Sequence, residues 1–208
     1  MPVLNQALLT LSNLDEETAR AEIYGLLASL YYAPPDPELC KQLRAAVTDA
    51  PMAGGFLEEP WRALVAAARQ FECEAIAQEY GTLFGGVGKP EVYLFGSYYL
   101  SGFLNEKPLA ALRSDLAALG LERKEAMSET EDHLAYLCEV MRYLIAGDDV
   151  QVANLAQQQL FFARHLQPWA PRLCDALAQH PAAQFYRALA AFTQAFLSVE
   201  AQGFDMLD

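Results

Sequence analysis

Apolar residues recur at helical spacing along almost the whole chain of 208 residues, and no segment alternates with the period of a β-strand. The stretch from Glu16 to Tyr32 shows one such stripe, and Asp36 followed by Pro37 predicts a capped start for the next helix. Because similar stripes continue to the end of the chain, we predict an all-α protein of about eight to ten helices. This is more than a four-helix bundle holds, and we expect a single compact domain over residues 1–208.

The stretch 85–99 interrupts this regularity, because it is rich in glycine and in aromatic side chains. It is long for a connection inside a compact domain, and such loops are often functional. We interpret it either as a connector folded over the core or as a groove wall with stacking side chains. It would join an N-terminal lobe of about residues 1–84 to a C-terminal lobe of about residues 100–208.

The composition limits the possible partners. The formal net charge is −13, and 53% of the residues are hydrophobic. A strongly acidic protein repels phosphate backbones, so we expect no nucleic-acid partner and favour a basic one. The first residues lack the basic segment and apolar core of a secretion signal, and no apolar run reaches the roughly 18 residues that span a bilayer. We therefore expect a cytoplasmic protein without stable membrane insertion.

The four cysteines are widely spaced and form no CxxC pair; they are Cys40, Cys73, Cys138 and Cys174. Each lies in a helix-like, largely apolar stretch, where a buried free thiol is expected. Free thiols fit a reducing compartment.

The sequence lacks the motifs of several common enzyme chemistries. The stretch 85–89 lacks the spacing of a phosphate-binding loop, and no predicted strand precedes it. None of the three histidines has a glutamate three residues before it, as a di-iron bundle requires, and no ligand spacing indicates a zinc site. We therefore predict no metal, no cofactor and no catalytic residue, and we expect a protein that is not an enzyme.

The segment 128–137 places three carboxylates beside one of the three histidines. Ser128 followed by Glu131 is a capping-box pattern, which predicts that a helix begins at Ser128. On that helix His133 would lie at the edge of the apolar stripe, and Asp132 would face sideways at the rim of an apolar cavity. A carboxylate in that position matches arginine, which binds it bidentately. Ordinary charge compensation at a helix start is the alternative for all three carboxylates.

Three sequence blocks, in order, resemble the TorD/DmsD/NarJ-type family of cytoplasmic chaperones for molybdoenzymes. The first comprises EYGTLF at 79–84 and GSYYL at 96–100, which is similar to the family's "E-Y-x-x-L-F … S-x-Y-L" block. The second is EDHL at 131–134, which resembles "E-x-D-H" at a helix start. The third is FARHLQPW at 162–169, which resembles "F-x-x-H-L-x-x-W".

The resemblance implies an all-helical, TorD-like fold. It also implies a chaperone that binds the twin-arginine signal peptide, or the apo form, of the precursor of a molybdopterin-containing oxidoreductase. Such a chaperone holds its client for cofactor insertion before export, and it would be a monomer or a domain-swapped homodimer. The common Pro-Pro-aromatic step before the serine is replaced here by residues 92–96, which would change the leader side chains that fit.

The motif positions carry the candidate residues. The resemblance implies that the signal peptide binds to Ser97, Tyr99, Asp132 and His133, with Phe84 and Glu131 as their neighbours and Tyr24 as a further candidate from the first helix.

Two alternatives remain open. A hydrolase would use Asp132 and His133 with a metal ion or as an acid and a base. A purely structural helical adaptor would instead hold both side chains fully buried and hydrogen-bonded inside the fold, with no adjoining cavity.

Overall fold

The structure is a computed structural model that describes residues 16–48, 55–85, 89–124 and 127–206. Most of these residues lie in ten helices: α1 (Glu16–Tyr32), α2 (Pro37–Ala45), α3 (Glu58–Gln70), α4 (Cys73–Leu83), α5 (Gly96–Ser101), α6 (Lys107–Ala118), α7 (Leu134–Ala146), α8 (Leu155–His165), α9 (Ala170–Gln179) and α10 (Phe185–Asp205). Within the described ranges the only strand-like pairing is an isolated antiparallel bridge between Phe95 and His133. The all-α prediction and the predicted number of helices are confirmed.

Some helices carry their own N-terminal cap and others do not. The Asp36 carboxylate accepts a hydrogen bond of 2.8 Å from the backbone N–H of Leu39, and Pro37 opens α2, as the sequence predicted. Helices α5 and α10 have no side-chain cap at their own flanking residues, Phe95 and Gln184. Because the first N–H groups of a helix have no partner within it, these two helices need acceptors from elsewhere in the chain.

The core forms where α1 packs along α7 and where α10 packs against α3 and α9. Tyr31 and Tyr186 are fully buried in it. The Tyr31 hydroxyl lies 3.1 Å from the Thr193 hydroxyl, and the Tyr186 hydroxyl donates to the Leu30 carbonyl at 3.2 Å. Because α1 precedes the stretch 85–99 and α7 and α10 follow it, both halves of the chain contribute to one hydrophobic core.

The prediction of four free thiols is wrong for two of the cysteines. Cys40 on α2 and Cys73 at the start of α4 form a disulfide, with their Cα atoms 6.0 Å apart. The fold brings together two residues that are 33 positions apart in the sequence, and no local pattern signals that proximity. Cys138 and Cys174 are free and buried, as expected.

None of the described helices is long and apolar enough to cross a membrane. The first residues, from which the absence of a secretion signal was argued, lie outside the described residues, as do positions 86–88 of the glycine-rich stretch.

Candidate functional site

Helix α7 begins at Leu134, so the predicted start at Ser128 is wrong. The N-cap is His133, whose Nδ1 accepts a hydrogen bond of 3.2 Å from the backbone N–H of Ala135. The reason is a long-range pairing of the backbone just before the helix. The Gly96 N–H donates to the Asp132 carbonyl at 2.9 Å, and the Leu134 N–H donates to the Leu94 carbonyl at 2.8 Å. These bonds hold His133 in an extended conformation, so a helix that begins at Ser128 cannot continue through it.

Asp132 is buried, with 3% of its surface exposed, and it lines a very small space rather than the rim of an open cavity. One carboxylate oxygen accepts the backbone N–H of Ser97 at 2.8 Å, and the other accepts the Thr130 hydroxyl at 2.6 Å. Asp132 therefore supplies the acceptor that α5 lacks at its own N-terminus. The adjoining space, lined by residues that include Ser97 and Trp169, measures about 10 Å³. It is too small for a peptide side chain.

The start of α5 fits tightly against α9. A Cβ at Gly96 would lie 2.9 Å from the indole nitrogen of Trp169, so a larger residue there would force the two apart. The neighbouring Ser97 is buried, and its hydroxyl has no hydrogen-bond partner among the described residues. Tyr99 is also buried and stacks on Trp169, with ring centroids 5.6 Å apart, while the Arg172 guanidinium lies over its ring at 5.8 Å. Tyr99 thus contacts Trp169 and Arg172, at the start of α9.

His133 is buried among aromatic rings. The centroids of Phe95, Tyr136 and Tyr32 lie 5.0, 5.7 and 6.4 Å from the centroid of its imidazole. Burial lowers the pKa of His133 to about 4, although the nearby Asp132 carboxylate acts in the opposite direction. The ring is therefore neutral at pH 7.

Glu131 already has a cationic partner. Its carboxylate binds the Arg113 guanidinium of α6 through contacts of 2.9–3.0 Å. Burial alone would raise the pKa of Glu131, but the hydrogen bonds to Arg113 outweigh that effect and lower it. A ligand arginine at Glu131 would have to compete with Arg113.

The two remaining candidates, Tyr24 and Phe84, have other partners in the fold. Tyr24 is fully buried, and its hydroxyl donates to the Glu200 carboxylate at 3.0 Å. The same carboxylate binds Arg20 at 2.7 Å, so Tyr24 belongs to an ion-pair cluster between α1 and α10. Phe84 is half-buried, and its ring lies 5.0 Å from the rings of both Tyr80 and Tyr186.

Glu79, the acid of the first motif block, has a role that was not predicted from the sequence. Its carboxylate accepts the backbone N–H groups of Gln184, Phe185 and Tyr186 at 2.8, 3.1 and 2.8 Å. Glu79 therefore caps α10 in the same way that Asp132 caps α5. The available signal was the lack of a capping side chain at Gln184, the residue that precedes α10.

A surface of five aromatic side chains, three of which lie beside the buried His133, was not predicted from the sequence. We call it the aromatic surface; it consists of Tyr32, Tyr80, Phe84, Phe95 and Tyr136. Tyr32 is 44% exposed, and the other four are half-buried. No single sequence segment carries the set, because α1, α4, the stretch before α5 and α7 each contribute part of it.

A ring contact and a hydrogen bond connect Tyr32 to Tyr136 and Tyr80 within the aromatic surface. The rings of Tyr32 and Tyr136 lie 5.7 Å apart, and the Tyr80 hydroxyl donates to the Tyr32 carbonyl at 2.8 Å. Burial, together with the nearby Glu129 carboxylate and Tyr32, raises the pKa of Tyr80 to about 12. Glu129, a half-buried acid, is therefore close enough to Tyr80 to affect its pKa. Aromatic faces and a carboxylate together suit a guanidinium ion.

The hydrolase alternative gains no support from this geometry. Asp132 and His133 are both buried and hydrogen-bonded to backbone N–H groups, which is what the structural alternative predicted for these two side chains. Among the described residues, no group of three or more His, Cys, Asp or Glu side chains is placed to hold a metal ion.

Comparisons with known proteins agree with the resemblance read from the motifs. Residues 54–175 match the family model described as "Nitrate reductase delta subunit". The protein named "Chaperone protein TorD" from Vibrio cholerae serotype O1 is 26% identical over 205 residues, which cover 90% of this chain and 93% of the relative. The protein named "Tat proofreading chaperone DmsD" from Salmonella typhi is 28% identical over 178 residues, which cover 84% of each chain.

A further relative, "Chaperone protein TorD" from Aliivibrio salmonicida, is 26% identical over 199 residues, which cover 87% of this chain and 92% of the relative. The fold and the matched relatives thus define an all-helical protein of a chaperone family. Because the family model covers more than half of the chain, this protein belongs to the TorD/DmsD/NarJ-type family.

Proposed function

We propose that this protein is a chaperone of molybdoenzyme maturation. It binds the twin-arginine signal peptide, or the apo form, of a molybdopterin-containing oxidoreductase subunit in the cytoplasm and holds it for cofactor insertion before export. The observation that carries the proposal is the match, over 84–90% of the chain, to relatives that are named as chaperones. The name of one relative, a Tat proofreading chaperone, supports a twin-arginine leader as the ligand.

We propose that the leader binds on the aromatic surface rather than directly on the buried motif residues. Five of the seven candidate residues are buried; they are Tyr24, Ser97, Tyr99, Asp132 and His133. Phe84 is half-buried and belongs to the aromatic surface, so it makes direct contact in this proposal. Asp132 and His133 act indirectly in this proposal. The bridge between His133 and Phe95 fixes the position of Phe95, and the turn into α7 fixes the position of Tyr136.

Charge and ring geometry favour arginine as the ligand group. A guanidinium ion over an aromatic face contributes about 0.5–1 kcal/mol when exposed and about 2 kcal/mol when desolvated. The Glu129 carboxylate can add a charge-assisted hydrogen bond, which a lysine would form with less geometric specificity. The net charge of −13 accelerates the encounter with a basic peptide more than it sets the final affinity.

Titration calorimetry with three synthetic leaders tests this proposal. The peptides share an apolar segment and differ in the residue pair before it, which is Arg-Arg, Lys-Lys or Ala-Ala. We expect the Arg-Arg leader to bind best and the Ala-Ala leader to bind roughly 10- to 100-fold more weakly, as two cation–π contacts imply. Equal affinities for the three peptides would contradict the proposed recognition of arginine.

A further inference from the structure

The disulfide between Cys40 and Cys73 joins two separate helices. Cys40 lies within α2, and Cys73 is the first residue of α4. The bond spans 33 positions of sequence that include all of α3. It therefore clamps α2 to the start of the helix that carries Glu79 and Tyr80.

The disulfide borders an open surface cleft. The cleft has a volume of about 520 Å³ and is lined by residues that include Pro37, Cys40, Lys41, Arg44, Glu72 and Cys73. Cys40 is buried with 3% exposure, whereas Cys73 is partly exposed. A small thiol in this cleft can therefore reach the sulfur of Cys73 more easily than that of Cys40.

The position of Cys73 favours the return reaction, in which its thiolate attacks the disulfide of oxidised glutathione. A thiolate at the first residue of a helix is stabilised by the unpaired N–H groups and by the helix dipole, and α4 continues to Leu83. The other two cysteines differ, because burial raises the pKa of Cys174 to about 12 and also raises the pKa of Cys138. Neither of those thiols is suited to exchange.

Polar contacts hold α2 in place beside the disulfide. The Arg44 guanidinium donates to the carbonyls of Ala68 and Phe71 at 2.9 and 2.7 Å. The Arg69 guanidinium donates to the carbonyls of Arg44 and Ala46, both at 2.9 Å. Because these contacts do not involve sulfur, they keep the two cysteines close after reduction, and the bond can form again.

We propose that Cys40 and Cys73 are a reversible redox-modification site that exchanges with small thiols and disulfides of the glutathione class. In reduction, a glutathione thiolate attacks the Cys73 sulfur, a mixed disulfide forms, and the Cys40 thiolate leaves and takes up a proton. A second glutathione thiolate then attacks the glutathione sulfur, which releases Cys73 and oxidised glutathione. Two glutathione molecules are oxidised and one protein disulfide is reduced to two thiols.

Thiol counting over a series of glutathione redox buffers tests this site without any leader peptide. The full-length protein is equilibrated at each ratio, quenched with acid, denatured, alkylated and analysed by mass spectrometry. We expect two labelled thiols under oxidising conditions and four under reducing conditions, with the two additional labels on Cys40 and Cys73. The melting temperature should fall by about 5–15 °C on reduction and recover when oxidised glutathione is added.

Two serine variants test where exchange begins. In oxidised glutathione, Cys40→Ser should form a mixed disulfide at Cys73, and Cys73→Ser should form one at Cys40 about ten-fold more slowly. A faster reaction of Cys40 than of Cys73 would overturn the proposed entry point. Four thiols at every ratio, or a bond that persists at every ratio, would each overturn the redox site itself.

Discussion

The carboxylate of Asp132 accepts a hydrogen bond of 2.8 Å from the backbone N–H of Ser97, which lies 35 residues earlier in the chain. The bond joins two motif blocks and is buried at both ends. A short helix that begins at Gly96 thereby obtains the acceptor that its own sequence does not supply. The acid of the second motif is thus part of the fold, and in the proposed function it affects ligand binding only through the residues that it positions.

Loss of this carboxylate should destabilise the protein. Asp132→Ala leaves the Ser97 N–H and the Thr130 hydroxyl without their buried acceptor, so we expect a loss of about 2–4 kcal/mol in the free energy of unfolding. Asp132→Asn retains one acceptor oxygen and should cost less. Urea unfolding followed by circular dichroism measures both, with the exposed Asp175→Ala as the control. If Asp132→Ala unfolds at the same urea concentration as wild type, the capping role is wrong.

Loss of the Glu79 carboxylate should also destabilise the protein, because this carboxylate caps α10 as Asp132 caps α5. Glu79→Ala removes the acceptor of three backbone N–H groups, and we expect it to cost about 1–3 kcal/mol of stability. Glu79→Gln should fall between wild type and alanine. Glu74→Ala, an exposed acid on the same helix, is the matched control. Equal stability of the Glu79 and Glu74 alanine variants would contradict the capping interpretation.

The buried His133 should make stability depend on pH. Its pKa is about 4 in the folded protein and about 6.5 when unfolded, so the unfolded chain binds an additional proton between these values. Stability from the neutral ring is therefore present above about pH 6.5 and is lost as the pH falls toward 4. Between about pH 7 and pH 5 the loss should be roughly 2 kcal/mol.

The variant His133→Gln isolates this effect, because glutamine retains a hydrogen-bond acceptor and does not titrate. The pH dependence of its unfolding free energy should be smaller than that of wild type over this interval. His180→Gln serves as the control, because His180 lies outside this cluster. Equal pH dependence in wild type and His133→Gln would show that His133 does not have a lowered pKa.

Glu129 should contribute to leader binding through its charge. Glu129→Gln should weaken binding of the Arg-Arg leader by about 3- to 10-fold. It should also reduce the salt dependence of binding, since salt screens the attraction between charges over about 10 Å at 0.1 M. Calorimetry at two salt concentrations measures both effects. The exposed Glu122→Gln is the control for the loss of one negative charge at a distance. An identical effect of both variants would mean that Glu129 acts only through net charge.

The helices could be predicted from sequence because their signals are local. Apolar spacing located the stripe of Glu16–Tyr32, and the Asp36-Pro37 pair located the start of α2. The start of α7 was misplaced because backbone bonds to Leu94 and Gly96 determine it, and those residues are distant in sequence. The disulfide was missed for the same reason, since only the fold brings Cys40 and Cys73 together.

The candidate site could be predicted in part. The motif blocks assigned Ser97 and Asp132 to one leader-binding site, but neither the blocks nor their spacing predicted that the two residues form a buried helix cap. Exposure could not be predicted, because an acid in a polar stretch gives no indication that it is buried. The aromatic surface was missed as a unit, because Tyr32, Phe95 and Tyr136 come from three separate segments.

The most direct test of the account is a cycle of four leader affinities measured by calorimetry. Wild type and Tyr32→Leu are each titrated with the Arg-Arg and the Ala-Ala leader, and Phe103→Leu provides the control, because Phe103 is 70% exposed outside the aromatic surface. We expect the preference for Arg-Arg over Ala-Ala to fall about 5- to 20-fold in Tyr32→Leu and to be unchanged in Phe103→Leu. An unchanged preference in Tyr32→Leu, or no preference in wild type, would contradict the binding of paired arginines on the aromatic surface.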